Sequence, residues 1–319
     1  MPSRPSSWRA DEAVFRAGTG AFALLLLTTV VAIAVALYKE SLLSIQHFGW
    51  QFWVTETWDP VAGEFGARPF IWGTLYSSIL ALAISTPVAL GIAIYISELA
   101  PDVLKRPLVF LTELLAAIPS IVYGLWGIFV LVPFVRSLQV LTPEWLRAVP
   151  LFTGPPLGVG MLSAALILSI MVIPFSSSVA REVLRSVPQA QREGAYALGA
   201  TRWEAIRMAL FYARTGIVGA IMLGFGRALG ETMAVTMVIG NSPNISLSLY
   251  APQYTMAAVL ANEFAEATGD LYLHALVEIG LVLFMITLVI NVISRLFIWS
   301  MDRQRRARPV KAAAVREAA

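Results

Sequence analysis

Long apolar runs alternate with short polar segments along most of the chain. Six of these runs have the length of about 20 residues that a membrane-spanning helix requires. The pattern therefore predicts an all-α membrane protein with six transmembrane helices. The six predicted spans are residues 20–38, 70–97, 109–135, 159–180, 215–240 and 274–300.

The first apolar run has an alternative interpretation as a cleaved signal peptide, because Ala34, Val35 and Ala36 resemble a cleavage site. The apolar part of a signal peptide is about 7–15 residues long, and this run is longer. We therefore expect a retained anchor. Residues 1–69 would then comprise a polar N-terminus, the first span and an extramembrane loop rich in Trp and Phe, which suit the membrane surface.

Composition agrees with the pattern and removes several classes of site. The chain has 319 residues, of which 58% are hydrophobic and 13% charged, whereas about a quarter of the residues are charged in a soluble domain. It contains no cysteine, and His47 and His274 lie far apart in sequence. We therefore expect no metal site, no bound cofactor and no catalytic residue on this chain.

The distribution of Lys and Arg predicts the orientation of the spans. Of the 23 Lys and Arg residues, 18 lie on the side that holds both termini and residues 97–108 and 181–214. Four lie on the other side, and Arg227 lies within a span. Positive residues concentrate on the cytoplasmic side, so the prediction is a multi-pass protein with both termini in the cytoplasm. Residues 303–319 would form a basic cytoplasmic tail.

The polar segment 181–214 predicts two helices joined by a tight turn. Ser186 is expected to cap the first helix, which would end at Gly199, because glycine adopts a left-handed backbone at low cost. Thr201 and Glu204 form the pattern of a capping box that opens the second helix. We refer to residues 186–205 as the hairpin.

Three interpretations of the hairpin follow from these residues. It is an ordinary connector, a DNA-binding helix-turn-helix, or a helix on which another protein docks. A membrane that holds both ends argues against nucleic-acid binding. The exposed character of Tyr196, Leu198 and Trp203 favours docking.

The hairpin resembles the cytoplasmic signature of ABC importer permeases, which reads Glu-Ala-Ala, three residues and then Gly. Glu193, Ala195 and Gly199 match this signature, and Gly194 replaces its first Ala. In that family the short helix sits in a cleft of a separate ATPase subunit. The resemblance therefore implies a role in ATPase coupling for Glu193, Ala195, Tyr196, Leu198 and Gly199.

The closing part of that signature, Ile-x-Leu-Pro, is not retained. Ala209, Phe211 and Tyr212 occupy these positions. The chain thus departs from the family where the second helix of the hairpin continues toward the fifth span. The docking turn is not affected by this difference.

Other segments resemble the phosphate-specific permeases of the same family, and among their two paired subunits the C type. These segments are FGARPFIWGTL at 65–75, IPSIVYG at 118–124 and GRALGETMAV at 226–235. The resemblance covers residues 12–300. It implies a type I ABC importer permease core at residues 70–302, with the first span as an accessory, in a bacterial cytoplasmic (inner) membrane.

The same resemblance implies a function and a set of partners. The chain would move inorganic phosphate into the cell as one half of a permease heterodimer, within membrane lipid. Its further partners would be two ATPase subunits and an extracytoplasmic phosphate-binding protein that contacts residues 39–69 and 241–273. ATP and Mg would bind to the ATPase, since none of the three lysines here follows a glycine as a phosphate-binding loop requires.

Arg227 and Glu231 are charged residues within the predicted fifth span. Four residues apart on one helix, they would share a face and could pair with each other. A charge at the centre of a bilayer costs at least about 2.5–3.5 kcal/mol, so both should face protein. Gly226 and Gly230 would form a small-residue face that lets another helix approach. The pair is either a structural ion pair or part of a translocation path, and the resemblance implies the path.

Glu113 and Glu278 are weaker candidates for the pathway, because each lies near the end of a predicted span. Alternatives to phosphate import also follow from the residues. In the first alternative, the chain transports another oxyanion or small solute in the same way. Alternatively, it could be an ion-coupled secondary transporter that works alone with Glu113, Glu231 and Glu278 as relays, or a membrane sensor without transport.

Overall fold

The apolar runs form six helices that are long and apolar enough to cross a membrane. They are seen in a computed structural model, which describes the backbone of residues 6–317 and the side chains of residues 12 and 14–301. The prediction of an all-α membrane protein with six spans is confirmed. The predicted basic tail at 303–319 lies outside the described side chains. The six spans are Val14–Phe48, Arg68–Leu99, Ser120–Leu141, Met161–Arg185, Arg202–Leu229 and Asp270–Met301.

Several spans belong to longer helices or are built from consecutive shorter ones. A short antiparallel ribbon, β1 (Trp58–Asp59) with β2 (Glu64–Phe65), lies between the first two spans. Tyr95–Leu99 and Gly127–Leu131 are π-helical, and Pro150–Phe152 is a 3-10 turn. The α-helices are α1 (Ser6–Phe48), α2 (Gln51–Val54), α3 (Arg68–Ile94), α4 (Asp102–Ala117), α5 (Ser120–Trp126), α6 (Val132–Leu141), α7 (Glu144–Arg147), α8 (Met161–Arg185), α9 (Gln189–Ala197), α10 (Arg202–Leu229), α11 (Met233–Val238), α12 (Met256–Glu263) and α13 (Asp270–Glu317).

Helix α8 lies at the centre of the bundle, where it packs against α3 and α10. More of α8 is buried than of any other described span. Ser169 on α8 donates a hydrogen bond to the carbonyl of Ala81 on α3 over 3.1 Å. A Cβ added at Gly216 of α10 would lie 2.5 Å from Val183 of α8. Small residues therefore allow these helices to approach closely, as is usual in membranes.

The small-residue face predicted from Gly226 and Gly230 is not used in this way within the described chain. A Cβ added at Gly226 would meet nothing within 4 Å, and one at Gly230 would meet only the carbonyl of Gly226 at 4.0 Å. The prediction of a close helix contact at these two glycines is therefore wrong for the isolated chain. The close approach lies further toward the N-terminus of α10, at Gly216 and Gly224.

Helix α1 lies at the edge of the bundle and packs mainly against α13. Its membrane segment, Val14–Phe48, is longer than the predicted residues 20–38, and the most apolar part of it contains no buried residue. Polar residues follow the apolar run without a helix-breaking signal, so the helix continues beyond the predicted end. A helix with so little buried surface is consistent with an accessory span.

The third span differs from the prediction of one helix over residues 109–135. Helix α4 ends at Ala117, and the chain is extended at Ile118 (φ −64°, ψ 129°) before α5 begins at Ser120. The residue before a proline is disfavoured in the helical region, and Pro119 therefore separates the two helices. The crossing segment is Ser120–Leu141, and α4 is a separate helix with polar and apolar sides.

The fifth span also differs from the prediction of one helix over residues 215–240. Helix α10 runs without interruption from Arg202 in the hairpin to Leu229. Gly230 ends it, and α11 then covers only Met233–Val238. The second helix of the hairpin and the fifth span are thus one rod of about 42 Å at 1.5 Å per residue.

Candidate functional site

The turn of the hairpin has the geometry that its sequence predicts. Gly199 has a φ of +80°. The N–H of Gly199 donates to the carbonyl of Tyr196 over 3.0 Å, and the N–H of Ala200 donates to that of Ala195 over 3.1 Å. These two bonds form a Schellman motif, which satisfies the last carbonyls of α9. The predicted glycine cap is confirmed.

The start of α10 is held by the predicted capping box. The Glu204 carboxylate accepts hydrogen bonds from the N–H and the hydroxyl of Thr201, both over 2.8 Å. The Thr201 hydroxyl in turn accepts from the N–H of Glu204. The prediction for Ser186 is wrong, since Ser186 ends α8 and Pro188 precedes α9. Pro188 has a fixed φ that suits a helix start, so α9 forms without a side-chain cap.

The outer surface of the hairpin consists of exposed side chains. None of the residues of α9 is buried. Tyr196 is 51% exposed, Leu198 91% and Trp203 63%. Glu193 and Gly199 are also exposed, and Ala195 is half-buried. Large apolar side chains together at a solvent-facing turn are characteristic of a protein contact.

A contact that sequence patterns did not reveal holds the hairpin to the bundle. The Arg192 guanidinium donates to the Glu98 carboxylate over 2.8 Å, and both side chains are largely buried. It also donates to the carbonyls of Leu184 and Val187. Arg202 donates to the carbonyl of Glu98 over 2.8 Å. The sequence indicated only that the segments of Glu98 and Arg192 lie on the same side of the membrane, because the Lys and Arg count predicts this.

The break between α10 and α11 changes the arrangement of Arg227 and Glu231. Arg227 lies in the last turn of α10, whereas Glu231 follows the end of the helix at Gly230. The two residues do not share a helix face, and their side chains form no ion pair in the described part of the chain. The expectation of a shared face is wrong because Gly230 ends the helix. Arg227 is exposed and Glu231 half-buried.

The two interrupted spans meet beside these residues. Helix α5 packs against α11, and a Cβ added at Gly124 would lie 3.2 Å from the Cα of Ala234. Tyr123 is buried, and its hydroxyl donates to the carbonyl of Leu115 at the end of α4 over 2.8 Å. Irregular backbone at membrane depth is tolerated where it lines a cavity or is covered by protein.

Glu113 and Glu278 lie in different places and do not join Arg227 and Glu231. The Glu113 carboxylate, on α4, lies 3.5 Å from the buried guanidinium of Arg181 on α8. Glu278, on α13, is 2% exposed, and its Oε2 atom has no hydrogen-bond partner among the described residues. The buried Ser44 hydroxyl of α1 also has no partner within hydrogen-bonding distance there, and it lies beside this carboxyl. Glu278 therefore faces the contact with α1 and not a shared pathway with the other three residues.

The end of the bundle opposite the hairpin is covered by an aromatic cluster. Trp58 Nε1 and the Tyr272 hydroxyl both donate to the Glu263 carboxylate, over 2.8 Å and 2.7 Å. The Tyr254 hydroxyl accepts from Asn262, and burial raises the pKa of the Tyr254 phenol well above its ordinary value. This cluster gives the predicted loops 39–69 and 241–273 a common ordered surface. Among the described residues, no group of three His, Cys, Asp or Glu side chains lies together as a metal site.

A family model described as a binding-protein-dependent transport system inner membrane component matches residues 86–307. The phosphate transport system permease protein PstC of Mesorhizobium japonicum is 46% identical over 302 residues, which are 93% of this chain and 92% of that protein. The PstC protein of Haemophilus influenzae is 47% identical over 300 residues, covering 92% and 95%. The probable PstC protein of Methanocaldococcus jannaschii is 40% identical over 263 residues, covering 80% and 84%.

The fold has solved counterparts as well. The inward-facing MetNI methionine ABC transporter matches with a TM-score of 0.55 at 16% identity, over 72% of this chain and 94% of that chain. A second inward-facing form of the same transporter matches with a TM-score of 0.51. This likeness concerns the fold, and it confirms the expected permease core. By sequence, the chain belongs to the family of binding-protein-dependent transport system inner membrane components.

Proposed function

We propose that the chain is the transmembrane permease subunit of an ATP-driven importer that moves inorganic phosphate into the cell. Its relatives with about 45% identity over more than 90% of this chain are named phosphate transport system permeases. The structural feature that supports this function most directly is an exposed arginine, Arg227, beside the breaks in two apolar spans.

Arg227 requires surroundings that the isolated chain does not supply. It lies in the predicted fifth span, residues 215–240, at the break between α10 and α11. An apolar layer of about 30 Å would therefore surround it. Its side chain is exposed. Facing lipid, this charge would cost at least about 2.5–3.5 kcal/mol. A second permease subunit and a water-filled path between the two would remove that cost.

The same residue suits the proposed substrate. The planar guanidinium presents several N–H donors that match the oxygens of phosphate. Glu231 lies just beyond the helix end and is half-buried. Its negative charge near Arg227 would weaken the hold on an anion, so that phosphate passes without being trapped. Glu113 and Glu278 lie apart from this pair, and we assign them no contact with the substrate.

The hairpin would transmit the movement of an ATPase. Its exposed Tyr196, Leu198 and Trp203 would sit in a cleft of one of two ATPase subunits, where ATP and Mg bind. The Glu98–Arg192 contact ties α9 to the π-helical segment Tyr95–Leu99. Helix α10 continues from the hairpin to Arg227 as one rod. A displacement of the hairpin would therefore reach the helix break directly. No bond is made or broken on this chain.

The proposed orientation has the hairpin and both termini in the cytoplasm. The opposite end, with the Trp58, Glu263 and Tyr272 cluster, would receive an extracytoplasmic phosphate-binding protein. The acidic loop 241–273 contains no Lys or Arg. It would therefore favour a partner with basic residues.

Uptake of labelled phosphate tests this function in cells that carry the chain as their only copy. Arg227→Ala should abolish uptake while the protein remains in the membrane at normal amount. Arg16→Ala is the matched control, because within the part of the chain that the structure describes Arg16 pairs with Glu12 alone, on an exposed part of α1. Normal uptake in Arg227→Ala would contradict a translocation role for this residue.

A second pair of variants tests coupling. Gly199→Val and Glu193→Lys should leave the chain inserted and lower uptake, while the ATPase hydrolyses ATP without transport. Normal uptake in both variants would mean that the hairpin is only a connector. If the chain purifies from its native membrane without an ATPase, an ion-coupled transporter that works alone would be favoured instead. Stimulation by a sulfate-loaded binding protein in place of a phosphate-loaded one would indicate another oxyanion.

A further inference from the structure

A cavity of about 630 Å³ opens at the hairpin end of the bundle, between α4, the π-helical segment Tyr95–Leu99 and the end of α8. Its volume lies within the range of about 300–1,000 Å³ that ligand pockets occupy. Arg227 is not among the residues that line it. Four cationic side chains line it, together with two acidic ones, Asp102 and Glu113. The four cations are Lys105, Arg106, Arg181 and Arg185.

Among the cationic residues of the cavity, Arg181 gives the clearest indication of a bound anion. It is 7% exposed, and its Nη2 atom lies 3.1 Å from the Glu182 carboxylate and 3.5 Å from that of Glu113. Its Nε atom is buried and has no hydrogen-bond partner among the described residues. Buried donors in native proteins nearly always have an acceptor, and leaving one without a partner is costly. Arg181 therefore retains a hydrogen-bond donor that no described residue satisfies.

The acidic residues around the cavity do not neutralise its cations. Asp102 pairs with Lys105 over 3.0 Å. Glu182, which must balance Arg181, lies 3.8 Å from Arg185 as well. Arg106 forms no ion pair within the described residues. The cavity keeps a positive surplus, which an anion with several acceptor oxygens would compensate.

The opposite wall of the cavity is apolar. Val109 and Phe110 of α4 line it, and Phe110 is 63% exposed. A free phosphate ion would use only the cationic wall. The phosphate of an anionic phospholipid would bind the same cations, and its acyl chain would cover Val109 and Phe110. Both occupants share one chemistry, a phosphate group held by arginine donors.

We propose that this cavity binds a phosphate group, with Arg181, Arg106 and Arg185 as its donors. Arginine binds phosphate oxygens through paired N–H groups, which gives short and strong bonds. Ile96 and Ser97 also line the cavity, and they directly precede Glu98, which holds the hairpin. An occupant therefore lies against the segment that positions the hairpin. The site differs from the proposed translocation path and does not depend on it.

The full chain in lipid nanodiscs tests this site, with Arg227→Ala as the background so that Arg227 contributes nothing. In one arm the lipid is phosphatidylcholine, and binding of labelled inorganic phosphate is measured by equilibrium dialysis. In the other arm phosphatidylglycerol is added, and native mass spectrometry measures its retention against phosphatidylcholine. Arg106→Gln and Arg181→Gln are compared with Arg207→Gln, an exposed arginine of α10 outside the cavity.

We expect each cavity variant to weaken binding about tenfold in one arm, as the loss of a charge-assisted hydrogen bond predicts. A loss of phosphate binding identifies the free ion as the occupant, and a loss of phosphatidylglycerol retention identifies the lipid. Arg106→Gln keeps the test valid if Arg181→Gln does not fold, because Arg106 is exposed. Absence of binding in both arms, or equal binding in the cavity variants and Arg207→Gln, would overturn the proposal.

Discussion

The contact between Arg192 and Glu98 should determine how firmly the hairpin is held to the bundle. Arg192→Met removes the guanidinium and keeps an apolar stem of similar length. The substitution leaves Glu98 with the hydroxyl of Ser97 as its remaining side-chain partner, over 3.0 Å. Helix α9 itself buries no residue. Its stability must therefore come largely from this contact and from the Schellman motif at Gly199.

The size of the effect follows from the bonds that are lost. Arg192 makes three hydrogen bonds, to the Glu98 carboxylate and to the carbonyls of Leu184 and Val187, all between 2.8 and 2.9 Å. A hydrogen bond to a charged group contributes about 1.5–3 kcal/mol, and breaking a buried ion pair costs about 3–5 kcal/mol. We expect a loss of about 3 kcal/mol for Arg192→Met. Glu98→Gln, which keeps the two carbonyl bonds, should lose about 1.5 kcal/mol.

Amide hydrogen exchange on the full chain measures this loss as faster local opening. A loss of about 3 kcal/mol accelerates exchange in α9 by about 100-fold, and 1.5 kcal/mol by about tenfold. The double variant should exchange little faster than Arg192→Met alone, because both changes remove the same contact. Arg207→Met is the control, an exposed arginine of α10. Exchange in Arg192→Met that is no faster than in this control would refute the reasoning.

Three further substitutions have expected outcomes. Gly199→Val places a branched side chain at a φ of +80° and should destabilise the turn by about 1–2 kcal/mol, seen as faster exchange in α9 than in the helical control Gly194→Ala. Gly73→Ala puts a Cβ against the backbone carbonyl of Tyr254 and should lower stability by about 1–3 kcal/mol in thermal unfolding, whereas Gly91→Ala, with nothing within 4 Å, should not. Glu278→Leu removes a buried carboxyl oxygen without a partner and should raise stability by about 1 kcal/mol. A clear fall in melting temperature for Glu278→Leu would mean that this carboxyl makes a stabilising contact.

Local signals predicted the hairpin well, with one exception. The left-handed conformation of Gly199 and the capping box of Thr201 each depend on a few neighbouring residues, so the sequence contains all that is needed. Ser186 was predicted as a cap and instead ends α8, because α8 continues past the predicted end of its span. A cap signal shows where a helix can begin, and only the length of the preceding helix decides whether it is used.

The breaks within the third and fifth spans were harder to predict from the sequence. Pro119 is a local signal, but the apolar residues on both sides of it merge into one run when hydropathy alone is considered. Gly230 gives a weaker signal, since glycine inside a helix costs only about 1 kcal/mol and is often tolerated. The separation of Arg227 from Glu231 therefore became evident from the backbone.

Hydropathy determined the number of spans, because the free energy of transfer into a membrane is close to a sum over individual residues. The orientation remains a prediction from the Lys and Arg count. Contacts between distant segments do not follow from such a sum. Glu98 and Arg192 are 94 residues apart, and Trp58 and Glu263 are 205 apart. Each pair forms only because packed helices bring the two segments to the same end of the bundle. The cationic cavity beside Arg181 has the same origin, since neither α4 nor α8 contains it alone.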